Sequence, residues 1–262
     1  MSASVQLRAA QFAVVIPAFN EANTIHEVLG RVAAAPYDKQ IIVVNDGSAD
    51  DTETAIQNAF AAWSGHERVV QFDTISHAVN RGKGAAIRTG LARVQAPIVL
   101  VQDADLEYFP EDYPLLIEPI LAGCMDAVYG SRYLSPARPL PWTRHRVCVC
   151  LLNWLVRLMF GQSLTDEATC YKVFRTDLLK LLDLKCERFE FCPEVTAKLC
   201  RIGVRIHEVP IRYSPRTLAE GKKIRWTDGV EAIATLFRWR LSSVSHLSDA
   251  WKDNGRLPKE FN

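Results

Sequence analysis

The chain has 262 residues, 48% of them hydrophobic and 23% charged, with a formal net charge of +1. This length suits one large α/β domain or one domain with an appendage, and the near-neutral balance gives no whole-protein argument for nucleic acid. Seven cysteines without CxxC spacing make neither a disulfide framework nor a zinc site, which points to a reducing cytoplasm.

Met1 to Gln11 is short and polar, with no secretory signal. Apolar, strand-like runs then begin near Phe12, Gln40, Val69, Pro97 and Asp126, spaced by 28 or 29 residues. Helix-like segments at Asn23–Ala34, Asp50–Trp63 and Gly84–Val94 separate the first four. Strand, helix, strand at this period predicts successive βαβ units and a parallel sheet with right-handed crossovers. Ligands of such sheets bind beyond the carboxyl ends of the strands, so the polar clusters found there share one rim.

Those clusters are Phe19-Asn20-Glu21 after the first strand, Asn45-Asp46-Gly47-Ser48 after the second, Asn80-Arg81-Gly82-Lys83-Gly84 after the third, and Asp103, Asp105 and Glu107 after the fourth. Gly82 and Gly84 would let the backbone approach a ligand, with Lys83 beside a helix N-terminus. Neither GxxxxGK[ST] nor a GxGxxG after the first strand is present, which argues against a Walker loop and a dinucleotide-binding dehydrogenase. Two carboxylates about 4 Å apart repel by roughly 4 kcal/mol at an effective dielectric of 20. Protonation, basic neighbours or a bound cation lifts that cost, and an oxygen-rich site suits Mg²⁺ or Mn²⁺ shared with a diphosphate.

In the second half, Arg132 follows the fifth strand, and Arg212, Arg216, Lys222, Lys223 and Arg225 follow the strand-like run Val204–Tyr213. Asp166 and Glu194 are the remaining acids. Glu194 begins a helix, where it complements the dipole or, for a hydroxyl acceptor, serves as general base. No stretch reaches the roughly 20 apolar residues of a spanning helix. The longest candidate, Val147 to Phe160, is 14 residues and includes Asn153 and Arg157. As a helix it places Arg146, Cys150, Asn153 and Arg157 on one face and Val147, Leu151, Leu152, Leu155, Val156, Leu158 and Met159 opposite. Such a helix lies in a membrane interface or serves as an ordinary core helix. A last amphipathic helix, Trp226 to Leu241, is expected to pack on the domain through Val230, Ile233, Ala234 and Phe237, followed by a loosely held polar tail from Ser242.

Val15-Ile16-Pro17-Ala18-Phe19-Asn20-Glu21, Asn45-Asp46-Gly47-Ser48, Gly82-Lys83-Gly84 and Asp103-Ala104-Asp105 together resemble family 2 glycosyltransferases. Gly130-Ser131-Arg132-Tyr133, Thr165-Asp166, Cys170-Tyr171-Lys172-Val173-Phe174, Phe191-Cys192-Pro193-Glu194, Glu208-Val209-Pro210-Ile211 and Arg216–Ile224 narrow this to the dolichyl- or polyprenyl-phosphate sugar synthases. The resemblance covers roughly residues 12 to 240. It implies an α/β, GT-A (Rossmann-like), mostly parallel central sheet flanked by helices, with an amphipathic helical insertion and a C-terminal amphipathic helix. The implied organisation is an extension at 1–11, a nucleotide-sugar-binding half at 12–135, an acceptor- and membrane-facing half at 136–225, and a helix with polar tail at 226–262.

The resemblance also assigns roles. Pro17, Phe19, Glu21 and Asp46 would contact base and ribose, with Lys83 near them, and Asp103 and Asp105 would hold the diphosphate and its Mg²⁺ or Mn²⁺, joined by Glu107. Arg132, Arg216 and Lys222 would grip a lipid phosphate or close over the donor, and Asp166 would sit near the sugar or acceptor. Asn45 stands where the synthases carry an acid, and Glu107 where they often carry Gln, which leaves UDP and GDP both open. The implied activity is inverting transfer of a hexose from a nucleotide sugar to a polyprenyl phosphate, at the cytoplasmic face of a membrane. Attachment would be peripheral, or through a membrane partner protein. Two other readings are a hydroxyl-acceptor transferase using Glu194 or Asp166 as base, and a non-catalytic nucleotide-sugar-binding subunit.

Overall fold

A computed structural model describes residues 8–134, 143–216 and 226–253. The β-branched runs marked by the sequence become β1 (Phe12–Ala18), β2 (Lys39–Asn45), β3 (Val69–Ser76), β4 (Ile98–Val101) and β5 (Ala127–Ser131), joined by β6 (Lys172–Arg175) and β7 (Ile206–Pro210). All seven lie in one sheet, in the order β3-β2-β1-β4-β6-β5-β7. β1 pairs in parallel with β2 and β4, β2 with β3, and β5 with β7, whereas β6 is antiparallel to both β4 and β5. The start of β6 therefore lies at the same rim as the ends of the other strands, which brings the 165–171 segment to the acidic cluster.

Both faces of the sheet are covered, so its central strands read as continuous apolar runs. β1 and β4 are buried almost throughout, and β2 is buried along its whole length. Even Lys39 in β2 is enclosed, and its Nζ donates to carbonyls at the C-terminal end of α1 (Ile25–Ala34), that of Ala33 at 3.1 Å and that of the capping residue Ala35 at 2.8 Å. Burial lowers its pKa to about 8. α2 (Thr52–Trp63) packs beside α1, and α3 (Lys83–Leu91) lies directly on β1 and β2. The approach of α3 requires a glycine: a Cβ on Gly90 would stand 2.5 Å from the Val15 Cγ1.

The remaining helices are α4 (Tyr113–Leu121), α5 (Arg144–Phe160), α6 (Thr176–Leu181), α7 (Phe191–Arg201), α8 (Trp226–Leu241) and α9 (Ser245–Asp253). α5 begins at Thr143, whose hydroxyl accepts from the Arg146 N–H at 3.2 Å, and stops at Gly161 in the left-handed conformation. None of the described helices is long and apolar enough to cross a membrane. The apolar residues of α5 split into two faces. Val149, Leu152, Leu155 and Val156 are buried, while Val147, Leu151, Trp154 and Leu158 are exposed.

Two expectations about the C-terminal region need correction. α8 faces the core through Ala232, Thr235 and Leu236, with Ile233 partly buried against it as expected, leaving Val230, Ala234, Phe237 and Leu241 outside. The segment after Ser242 is not a loose tail as far as Asp253, because α9 packs on α6, and Val244 just before it, Leu247 and Trp251 are buried.

Candidate functional site

The strand ends meet at one rim, and the central pair there is Lys83 with Asp103, whose Nζ and Oδ1 form an ion pair. Burial opposes both charges, yet each sustains the other. The lysine is held above its ordinary pKa, and the Asp103 carboxyl below its own. Asp105 is the opposite case. Its burial, together with the negative charges of Asp103 and Glu107, pushes its pKa up to about 7, against the pull of Arg216. Its Oδ1 accepts the Glu107 N–H at 3.0 Å, and its Oδ2 accepts from an Arg216 Nη at 2.7 Å.

Arg216 reaches this cluster from the segment after β7. Its other Nη lies 3.1 Å from Glu21 Oε2, and its backbone N–H donates to Glu107 Oε1 at 2.7 Å. The second oxygen of Glu107 accepts from the Tyr213 hydroxyl at 2.9 Å. Both oxygens of Glu107 are thus directed at the 213–216 segment. Among the described residues, no three His, Cys, Asp or Glu side chains group as a ready metal cage. Asp103 and Asp105 nevertheless offer hard oxygen donors in a cluster with more carboxylates than cations, which is donor chemistry suited to Mg²⁺ or Mn²⁺.

The glycines of the Gly82-Lys83-Gly84 turn have a different use from the ligand approach expected of them. The Gly84 and Ala85 N–H groups already donate to the Arg188 and Glu187 carbonyls at 3.0 and 2.9 Å. Gly82 has φ +95°, and a Cβ there would stand 2.4 Å from the Glu187 carbonyl oxygen. The turn is glycine-rich so that the 187–188 backbone can lie against it, and only the Lys83 side chain faces the acids.

Glu194 serves that same contact. Its Oε1 accepts the Lys185 N–H at 2.8 Å and the Lys198 Nζ at 2.6 Å, while Oε2 accepts the Cys186 N–H at 2.6 Å. It is almost wholly buried, so its carboxylate anchors the 185–188 segment rather than opening to an acceptor.

Asp46 is likewise engaged. Its Oδ1 meets His77 Nδ1 at 2.6 Å and the Arg81 N–H at 2.9 Å, and its Oδ2 accepts the Gly82 N–H at 2.6 Å. Asn45, in place of an acid, donates to Glu53 at 2.6 Å and accepts the Ser48 N–H at 3.1 Å. Pro17 and Phe19 stand at the end of β1, partly exposed at the rim.

On the other side of the acids, Arg132 and Asp166 form a buried two-pronged pair, Nε to Oδ2 and Nη2 to Oδ1, each at 2.7 Å. The Arg132 backbone N–H adds a third contact at 2.9 Å. Burial opposes the guanidinium charge, but Asp166 overrides it and raises the Arg132 pKa. The Tyr213 ring lies 5.0 Å from the guanidinium carbon. Glu208, on β7, fixes the loop beneath by accepting the Thr165 and Asp166 N–H groups at 2.7 and 2.9 Å. Lys222 lies outside the described residues.

His77, Glu208 and Tyr213 join the site without an expected role. A signal existed for each: a lone histidine directly after β3, an acid within the short edge strand β7, and a tyrosine three residues before Arg216.

An acidic, lysine-bearing rim on a sheet of this topology fits a glycosyltransferase of the GT-A fold. The chain matches the family model described as Glycosyl transferase family 2 over residues 13–182, and it belongs to that family. The undecaprenyl-phosphate mannosyltransferase of Micrococcus luteus is 31% identical over 234 residues, 87% of this chain and 93% of that one. The UDP-N-acetylglucosamine–dolichyl-phosphate N-acetylglucosaminyltransferase of Methanococcus voltae is 30% identical, over 80% of this chain and 89% of that one. The fold is shared with glucosyl-3-phosphoglycerate synthase of Mycobacterium tuberculosis, crystallised with Mn²⁺, UDP and glucosyl-3-phosphoglycerate. That similarity has a TM-score of 0.63 at 22% identity and covers 90% of this chain and 82% of the other.

Proposed function

We propose that this glycosyltransferase moves a hexose from a UDP- or GDP-linked donor to a polyprenyl phosphate, with inversion at the anomeric carbon. A phosphate oxygen of the lipid attacks that carbon, the bond to the diphosphate breaks, and the nucleoside diphosphate leaves. The observation that carries this reading is the state of the two candidate bases. Both oxygens of Asp166 are occupied by Arg132, and both of Glu194 by Lys198 and two backbone N–H groups. A hydroxyl acceptor needs a base near its proton. A phosphate monoester, with a second pKa of about 6, is already an anionic nucleophile at pH 7. The acceptors of the two relatives named above support the same choice.

Asp103 and Asp105 are the residues that would hold Mg²⁺ or Mn²⁺, and the ion would supply charge neutralisation for the departing diphosphate. Lys83 keeps Asp103 ionised and adds positive charge at the donor side. Arg132, oriented by Asp166 and by stacking on Tyr213, presents its remaining N–H groups to the acceptor phosphate. A transfer assay with radiolabelled UDP- and GDP-sugars, a short-chain polyprenyl phosphate and Mn²⁺, with and without EDTA, tests the reading. EDTA-sensitive label in the lipid product is the expected result. Label only on an added glycan or protein overturns it.

The raised pKa of Asp105 gives the metal reading a pH dependence. Proton and metal compete for the same carboxylate, so Mn²⁺ affinity is expected to fall as pH drops below about 7. Binding there should release close to one proton, as calorimetry in buffers of different ionisation enthalpy would show. Affinity independent of pH between about 5.5 and 8 would remove Asp105 from the ligand set.

For a lipid substrate, the exposed stripes of α5 and α8 acquire a use. The two helices pack side by side, and each carries large apolar residues outward: Val147, Leu151, Trp154 and Leu158 on α5, Val230, Phe237 and Leu241 on α8. Arg157, Arg238 and Arg240 are exposed on the same two helices, which suits an anionic bilayer surface. Burying a large apolar side chain is worth about 1.5–3 kcal/mol. Trp154→Ser with Leu158→Ser is therefore expected to weaken sedimentation with anionic vesicles by at least about tenfold. The thermal midpoint should be unchanged, because neither side chain is in the core. Unaltered sedimentation would show that this stripe does not meet the bilayer.

A further inference from the structure

Arg216 stands where the acidic rim needs positive charge. Among the described residues, Lys83 is committed to Asp103, and Arg216 bridges Asp105 and Glu21 while its backbone N–H reaches Glu107. The guanidinium binds the same Asp105 carboxylate that the proposed divalent ion would use. Its contacts with Glu21, at 3.1 to 3.3 Å, are longer than the 2.7 Å contact with Asp105. Among the described residues its Nε–H is buried without an acceptor, so the group is incompletely satisfied where it lies. A buried donor without a partner carries a desolvation penalty, which an added acceptor would remove. The backbone around it is separately secured: Arg216 N–H and Tyr213 hydroxyl bind Glu107, and the Ser214 N–H donates to the Glu107 carbonyl at 2.9 Å. The side chain can therefore leave Asp105 while its segment stays in place.

Resting on the reading of Asp103 and Asp105 as the metal-holding pair, we propose that Arg216 is the resident counter-cation of the metal-free site. The divalent ion arriving with the nucleotide diphosphate displaces it from Asp105, and the released guanidinium, with its free Nε–H, turns to a phosphate oxygen. Arginine and metal exclude each other on Asp105, since two cations sharing one carboxylate repel. Two consequences follow. The metal alone binds weakly, because it must evict a positive charge. The arginine becomes available to phosphate only after the donor complex has formed, which orders donor before acceptor.

The test is Mn²⁺ binding to the full chain without nucleotide, read from the electron paramagnetic resonance signal of free Mn²⁺. R216Q and R216M, both neutral, are expected to bind Mn²⁺ roughly tenfold more tightly than the parent. R216K, which keeps the charge, should stay near the parent value. Two neutral side chains of different polarity guard against a folding defect in either. Equal or weaker Mn²⁺ binding by both neutral variants, with binding still abolished by D105N, overturns the counter-cation role and leaves the metal reading standing. Absence of Mn²⁺ binding in every variant, with UDP present or not, overturns both.

Discussion

Asp105→Asn is expected to lower sugar transfer by about three orders of magnitude while leaving the fold intact. The amide oxygen can still accept the Glu107 N–H that Asp105 Oδ1 holds at 3.0 Å, so the turn after β4 keeps its cap. What disappears is an anionic oxygen, and with it half of the pair proposed to hold the divalent ion. Charge stabilisation by a metal is worth several kcal/mol in a transition state, and about 4 kcal/mol corresponds to roughly a thousandfold in rate. The stability effect has the opposite sign. Asp105 has a folded-state pKa raised from 3.8 to about 7. Its favourable share of stability is present below about pH 4 and is lost as the pH rises through about 7. Asparagine has no such loss. In metal-free buffer above pH 7 its thermal midpoint should equal or exceed that of the parent. Near-parental transfer by this variant would remove Asp105 from the donor site. A collapse of the midpoint would make the residue a structural one.

The parts of this molecule that were legible in its sequence are those governed by local periodicity. β1 to β5 and α1 to α3 lie within a few residues of their expected starts, because apolar β-branched runs alternate with helical segments at a nearly constant period. The placement of the acids at strand ends followed from the same pattern and from the rule that such sheets bind ligands at that rim. β6 was invisible to it. Lys172-Val-Phe-Arg is four residues long, and its place between β4 and β5 is set by pairings with residues more than 40 positions away. α9 carries little sequence signal, because only Val244, Leu247 and Trp251 anchor this region within a polar run.

Pairing of distant side chains was the other blind spot. The arginine at 216 and the aspartate at 105 are 111 residues apart, and no spacing rule connects them. The glycine-rich turn at 82–84 shows the reverse difficulty. Its composition signals close approach, and the group that approaches is the backbone at 187–188.

Asp166→Ala is expected to destabilise the protein by about 3–5 kcal/mol, the cost of leaving a buried charge without its partner. Asp166 is completely enclosed and Arg132 is only 5% exposed, so neither solvent nor salt can replace the lost carboxylate. For a chain of this size such a loss lowers the thermal midpoint by roughly 10 °C. The single variant alone would not separate a structural pair from a functional one, because activity falls with the fold in either case. The double variant Arg132→Met with Asp166→Leu does separate them. Removing both charges together, and filling the space with apolar groups, is often neutral for stability. Its midpoint should therefore return to near the parent value. Transfer should not return, since the methionine cannot offer N–H groups to the acceptor phosphate and since the stacked guanidinium over Tyr213 is gone. Recovery of both stability and transfer in the double variant would assign Arg132 and Asp166 wholly to the scaffold. It would also move the acceptor phosphate toward Arg216, another guanidinium at this rim.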